Sequence, residues 1–155
     1  MNCLLTARAW PRLLAALMTF VLATLTLMTL PALAAGPLSH APTTANLYII
    51  TPKDGATVPE NFTVRFGLSG MGIAPAGIDK EGTGHHHLLI DVDELPSLTE
   101  PLPATAHIKH FGGGQTETTI NLPPGEHTLQ LLLGNYTHVP HDNPVLSQAI
   151  KVTVQ

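Results

Sequence analysis

Phe62-Thr63-Val64-Arg65-Phe66 is the stretch that decides the fold class, because apolar and polar residues alternate in it without a break. A period of two places Phe62, Val64 and Phe66 on one face of an extended strand and the two polar residues on the other. This pattern is typical of a strand with one buried and one solvated face. It therefore predicts a β-sheet with its core on the phenylalanine side.

Five further strand-like runs lie between turn residues on both sides of this stretch, and none of them has a helical period of 3.6. They cover residues 47–51, 85–91, 116–122, 127–133 and 148–154. Six or seven short strands in about 110 residues are typical of an immunoglobulin-like sandwich. We therefore predict an all-β fold, a single immunoglobulin-like β-sandwich of about seven strands, over residues 45–155.

A targeting segment precedes the predicted sandwich. Two arginines are followed by an apolar run over residues 13–30 and by the small-residue triplet Ala32-Leu33-Ala34. This is the layout of a secretory signal peptide, and we interpret residues 1–35 in this way. Residues 36–44 are expected to be a flexible lead-in, and the protein is expected to be periplasmic or secreted, with no stable membrane anchor after cleavage. A retained anchor is the alternative, because a run of about 18 apolar residues is just long enough to span a bilayer.

The composition after residue 35 excludes several functions. Cys3 is the one cysteine of the sequence, so the predicted domain contains none and forms no disulfide. Five Lys and Arg residues against eleven Asp and Glu residues give this part a net charge of −6. An acidic chain without a basic patch does not attract a nucleic-acid backbone, so we predict no nucleic-acid partner. About 120 residues are enough for a packed core.

Histidines are the residues that suggest chemistry. In an immunoglobulin-like sandwich, the loops before run 85–91 and after run 127–133 emerge at the same end. We call this end the histidine pole, because seven of the eight histidines in residues 45–155 are expected there, and only His127 at the opposite end. The seven are His85, His86, His87, His107, His110, His138 and His141.

The spacing of these histidines favours a metal site. Two of them, His85 and His87, are two positions apart on one strand, so their rings point from the same face. Imidazole nitrogens suit divalent zinc and copper, and no thiolate is available after residue 35. We therefore predict a copper or zinc ion bound by nitrogen ligands, with or without a carboxylate. The candidate metal ligands are His85, His87, His107, His110, His138 and His141.

Several neighbouring residues extend this prediction. The acids Asp91, Glu117 and Asp142 are candidate ligands or hydrogen-bond partners of ligands. A thioether from Met71 would favour copper slightly. By contrast, His86 shares its strand phase with Leu88 and Ile90, so we interpret it as a partly buried structural histidine that donates to a backbone carbonyl.

Two metal-free roles are compatible with the same spacing of histidines. The rings could form a hydrogen-bonded structural network, held by backbone carbonyls and neighbouring side chains. They could also form a surface that responds to pH near the ordinary imidazole pKa.

Four segments resemble a bacterial secreted family described as a domain of unknown function, number 4399. They are TGHHHLLID at 83–91, HFGGGQTE at 110–117, LQLLLG at 129–134 and HVPH at 138–141. The resemblance extends over about residues 48–154. It implies an exported bacterial protein in which the histidine-rich segments are family features, and it implies no activity, substrate or catalytic residue.

Three functions fit these observations. The preferred one is a carrier, buffer or accessory protein that binds copper or zinc at the histidine pole. The second is a small redox or hydrolytic metalloenzyme, which would need an open coordination position and a substrate cleft. The third is a metal-free module whose loops bind an envelope protein or a glycan. We predict no catalytic residue and expect that an enzyme is the weaker of the first two hypotheses.

Overall fold

The computed structural model of the chain describes residues 38–155, and the regular elements in that part are all β-strands. The signal-peptide prediction for residues 1–35 lies outside the described residues. Within residues 38–155, no helix has the length and apolar character needed to cross a membrane. The strands are β1 (Asn46–Thr51), β2 (Ala56–Val58), β3 (Asn61–Ser69), β4 (Gly72–Ile73), β5 (Thr83–Ile90), β6 (Ile108–His110), β7 (Glu117–Asn121), β8 (Gly125–Gly134) and β9 (Ile150–Val154).

These strands form two sheets that pack face to face. The smaller sheet has the antiparallel order β1-β3-β7, and the larger one has the order β2-β9-β8-β5. Two short strands, β4 and β6, pair with successive parts of β5 on the side away from β8. This division of strands confirms the predicted immunoglobulin-like sandwich.

The main core fills the space between the sheets. On β3 the predicted alternation is confirmed, since Phe62, Val64 and Phe66 are buried and the residues between them are exposed. Leu88 of β5 and Leu131 of β8 pack against them from the larger sheet. The stretch that decides the fold therefore supplies one wall of the core.

A second, smaller hydrophobic cluster covers the outer face of the larger sheet. It consists of Leu89, Leu102, Ile108 and Leu132. The main core covers one face of β5 and this cluster adjoins the other. All residues of β5 from Gly84 to Ile90 are therefore buried. This covering by loops is what places histidines of β5 out of contact with solvent.

The strand predictions differ from the structure in number rather than in position. The six runs correspond to β1, β3, β5, β7, β8 and β9. The structure adds β2, β4 and β6, which have three, two and three residues. Such short strands carry too few residues for an alternation to be recognised, so the sandwich has nine strands instead of about seven.

Candidate metal centre

Two histidines of β5 project from the outer face of the larger sheet. His86, Leu88 and Ile90 face the main core, so the intervening His85 and His87 point the opposite way, toward the loops. On the neighbouring strand β8, His85 lies opposite Gly134. The alternation along β5 therefore separates two outward-facing histidines from one core histidine.

A third histidine comes from β6. His110 lies directly opposite His87 in the antiparallel β5–β6 ladder, and directly opposed residues share one face of a sheet. His110 is exposed, whereas His87 is fully buried. This short strand therefore places a solvent-accessible imidazole beside a buried one.

The loop after β8 supplies a fourth histidine. His138 has a φ angle of 71°, in the left-handed region, where a non-glycine residue is strained. The side-chain oxygen of Asn135 accepts hydrogen bonds from the backbone N–H groups of Thr137 at 2.9 Å and Val139 at 3.0 Å. The backbone N–H of His138 also donates to the carbonyl oxygen of Asn135 at 2.9 Å. These bonds fix the turn that holds His138 in its strained conformation.

The four rings meet in one group, which we call the histidine cluster: His85, His87, His110 and His138. The ring centroid of His85 lies 4.9 Å from those of His87 and His110 and 5.1 Å from that of His138. The centroids of His110 and His138 are 4.6 Å apart. One ring nitrogen from each of His85, His110 and His138 falls within 4.8 Å of the other two, so these three could hold a metal ion.

Two glycines leave room for the cluster. A Cβ atom on Gly112 would lie 2.3 Å from Cε1 of His110, and one on Gly134 would lie 2.7 Å from Cε1 of His87. Real Cβ contacts are not that short, so the rings occupy the space that a side chain would need. The ring of His110 therefore packs closely on Gly112. Sequence reasoning did not single out Gly134, although a glycine at the end of a leucine-rich strand often indicates a close approach.

The buried rings of the cluster lack hydrogen-bond partners. Both ring nitrogens of His85 and both of His87 are buried, and none has a partner among the described residues. Buried side-chain nitrogens are nearly always hydrogen-bonded in folded proteins. A hydrogen-bonded structural network therefore does not describe these two histidines, and neither does a pH-responsive surface, because both side chains are fully buried.

Burial also keeps the two β5 histidines of the cluster neutral. Desolvation, with the nearby imidazoles His110 and His138 as the next causes, lowers the pKa of His85 to about 4. Desolvation and the neighbouring His85 lower the pKa of His87 to about 3. Desolvation and the neighbouring His138 also lower the pKa of His110. Neutral imidazoles keep a lone pair for a metal ion at neutral pH.

Two further histidines at the histidine pole do not join the histidine cluster. His86 is buried against Phe66, and its Nδ1 donates to the carbonyl oxygen of Gln115 at 3.2 Å, which confirms the structural role predicted for it. His141 is also buried, and its Nε2 donates to the carbonyl oxygen of Thr83 at 3.2 Å. That bond occupies one of its two possible ligand atoms.

The expected position of His107 is wrong. Its Nδ1 donates to the carbonyl oxygen of Ile90 at 2.9 Å, at the end of β5 opposite to His85. His127 lies at this same end, where its Nδ1 is 2.7 Å from Asp91. The chain enters β6 from the far end of the sheet, so His107 stays there and only His110 reaches the histidine cluster.

The three candidate carboxylates are engaged elsewhere, which corrects their expected place beside the histidines. Asp91 pairs with His127, Glu117 lies 2.9 Å from the Nε of Arg65, and Asp142 lies 2.9 Å from the Nδ1 of His40. Met71, the expected thioether, packs against the main core.

Comparisons with known proteins concern the family and the fold. The family model described as "Domain of unknown function (DUF4399)" matches residues 64–155. The X-ray structure of the endo-beta-1,4-mannanase from Thermotoga petrophila is 22% identical over 72% of this chain, with a TM-score of 0.41. The present chain spans only 20% of the length of the mannanase chain. Fibronectin(III)-like modules of Clostridium thermocellum CbhA are 14% identical over 70% of this chain and 92% of theirs, with a TM-score of 0.33. No curated protein matches the sequence.

Proposed function

This chain belongs to the DUF4399 family, whose description names no activity, and we propose that it binds a divalent copper or zinc ion through His85, His110 and His138. The observation that carries this proposal is the burial of both ring nitrogens of His85 without a hydrogen-bond partner, beside the ring nitrogens of His110 and His138. An unsatisfied buried polar group costs about 1–3 kcal/mol, and a neutral imidazole carries one N–H and one lone pair, so the fold gains when a ligand uses the lone pair of His85. A metal ion that accepts a lone pair from His85 removes part of this cost.

The geometry supports a small ion. Zinc–nitrogen bonds of about 2.0–2.1 Å in a tetrahedral site place the ligand nitrogens roughly 3.4 Å apart. The three nitrogens already lie within 4.8 Å of one another, which approaches the spacing that a bound ion requires. An all-imidazole ligand set suits copper and zinc, and copper forms the stronger complexes of the two.

The role we propose is that of a carrier or buffer outside the cytoplasm. Export is proposed from the pattern of residues 1–35. Exposure of His110 supports metal exchange, because solvent or a partner protein reaches this ligand directly. Burial lowers the pKa of His85, so the lone pair of this ligand stays available to a metal ion at neutral pH. We assign no catalytic residue.

Elemental analysis tests this proposal most directly. The protein is purified from its native compartment without a polyhistidine tag, and its copper and zinc contents are measured before and after titration with each metal. We expect one ion per chain, and loss of it in the His85→Ala, His110→Ala and His138→Ala variants. His107→Ala is the matched control, because His107 lies at the other end of β5. Failure of the wild-type protein to take up either metal would overturn the proposal.

A further inference from the structure

We propose that the metal-loaded centre binds a small anion as its fourth ligand. This inference rests on the proposed function and adds the chemical class of a second ligand. Three imidazoles leave one position of a tetrahedral metal site open. They are also neutral, so a divalent ion in their midst retains its full charge.

No carboxylate of the protein joins the three ligand atoms. All eleven acids of the sequence lie within the described residues, and none joins the group of ligand atoms formed by His85, His110 and His138. An anion from solution is therefore the available counter-charge.

Burial of the site increases the stabilisation that an anionic counter-charge provides. His85 and His87 are fully buried, and the outer hydrophobic cluster adjoins them through Leu89 on the same face of β5. An unpaired charge in such a partly desolvated place carries a large penalty, which a bound anion relieves. Exposure of His110 gives the anion a route from solvent.

His87 is the competing occupant of the fourth position. Its ring centroid lies 4.9 Å from that of His85 but 6.2 Å from that of His138, and its nitrogens do not join the three-atom group. Its ring also packs against Gly134. Coordination by His87 would need this packed ring to move.

The ligand is an anion of a few atoms with an oxygen or nitrogen donor, such as formate, acetate or azide. The rings of the cluster lie within 6.2 Å of one another, which leaves no space for a bulky group between them.

Azide titration of the copper-loaded, dialysed protein tests the inference. We expect a saturable azide-to-copper charge-transfer absorption with one azide per copper, and a rise in the apparent azide Kd when acetate is added. The His87→Ala variant should give the same absorption, and His107→Ala serves as the control for surface changes.

The two proposals fail in different ways. Absence of bound copper at the loading step overturns the proposed function before azide is added. Stoichiometric copper without an azide absorption leaves the metal site standing and overturns the anion site. Four nitrogen couplings in the electron paramagnetic resonance spectrum, reduced to three in His87→Ala, would identify His87 as the fourth ligand instead.

Discussion

His87 on β5 and His110 on β6 stand directly opposite each other in one antiparallel ladder, with ring centroids 5.1 Å apart and ring planes at 31°. Such a pair cannot carry two positive charges without strong repulsion, because the buried His87 has little water to screen it. The metal-free fold therefore depends on neutral imidazoles, and this dependence sets its behaviour in acid.

Acidification is expected to destabilise the metal-free protein. The pKa of His85 is lowered to about 4 and that of His87 to about 3, whereas the unfolded chain takes up these protons near pH 6.5. The unfolded state thus binds more protons as the pH falls from 6.5 to 4, and the free energy of unfolding falls by up to about 1.4 kcal/mol per pH unit for each histidine. Urea denaturation in a chelator at pH 7, 5 and 4 measures this. His87→Leu should reduce the slope, and an equal slope in that variant would show that His87 is not a cause of the acid sensitivity.

Metal is expected to stabilise the fold. At a thousandfold excess over its dissociation constant, a bound ion raises the free energy of unfolding by ~4 kcal/mol. For a domain of this size, this raises the Tm by roughly 10 to 25 °C. Thermal unfolding followed by circular dichroism, with and without copper or zinc, checks the shift. An equal shift in His138→Ala would show that the ion binds elsewhere.

Gly112→Ala is expected to separate metal affinity from stability. The new Cβ would meet the ring of His110, which is exposed and can swing into solvent. We therefore expect a small change in Tm and a loss of metal affinity of about 10-fold or more, comparable to the loss of a group that orients a ligand. Calorimetric titration measures the affinity. Gly113→Ala is the control, because its Cβ would meet only the Gln115 side chain among its nearest neighbours.

Asn135→Ala is expected to loosen His138. Its side-chain oxygen accepts the hydrogen bonds that shape the turn, so the variant loses them and leaves backbone N–H groups without a partner. We expect a loss of about 1–3 kcal/mol in the free energy of unfolding, together with weaker metal binding. Asn135→Asp keeps an acceptor oxygen at this position and should retain most of both properties. Equal losses in the two variants would argue against the turn as the cause.

His127 is expected to respond to pH in the opposite sense to His85. Its hydrogen bond to Asp91 and the backbone bond to Pro123 raise its pKa above the ordinary value, against a smaller effect of desolvation. Its stabilising effect is fully present below the unfolded pKa of about 6.5 and is lost as the pH rises through the raised folded pKa. Nuclear magnetic resonance titration should give a midpoint above 6.5 for His127 and a lower one in Asp91→Asn. An unchanged midpoint would exclude Asp91 as the cause.

Much of the fold, and the side-chain directions of the two β5 histidines of the cluster, could be predicted from residue alternation. The period of two along 62–66 identified a core strand, and the same period in 85–91 separated His85 and His87 from His86. Side-chain direction is a local property of a strand, so it can be predicted from neighbours in sequence. The position of His110 opposite His87 could not be predicted, because it depends on the register of the three-residue strand β6.

The errors concern residues whose partners lie far away in sequence. Asp91 follows His85 by six positions on an extended chain, a separation of roughly 20 Å, so strand length alone places it at the other end of the sheet. Glu117 pairs with Arg65 and Asp142 with His40, across 52 and 102 positions of the chain. Arg65 and Glu117 lie opposite each other in the β3–β7 ladder, so such pairings depend on which strands and loops become neighbours, which cannot be predicted from neighbours in sequence.

The short strands β2, β4 and β6 have a consequence for how the protein behaves when concentrated. A long unpaired edge offers another molecule a row of free backbone groups to extend, whereas the two- and three-residue strands at the edges of the larger sheet offer little such template. The leucine-rich interior strands are thereby shielded from intermolecular sheet formation. Deleting the β6 segment to remove His110 would uncover β5 and promote aggregation, so side-chain substitution is the appropriate way to probe that histidine.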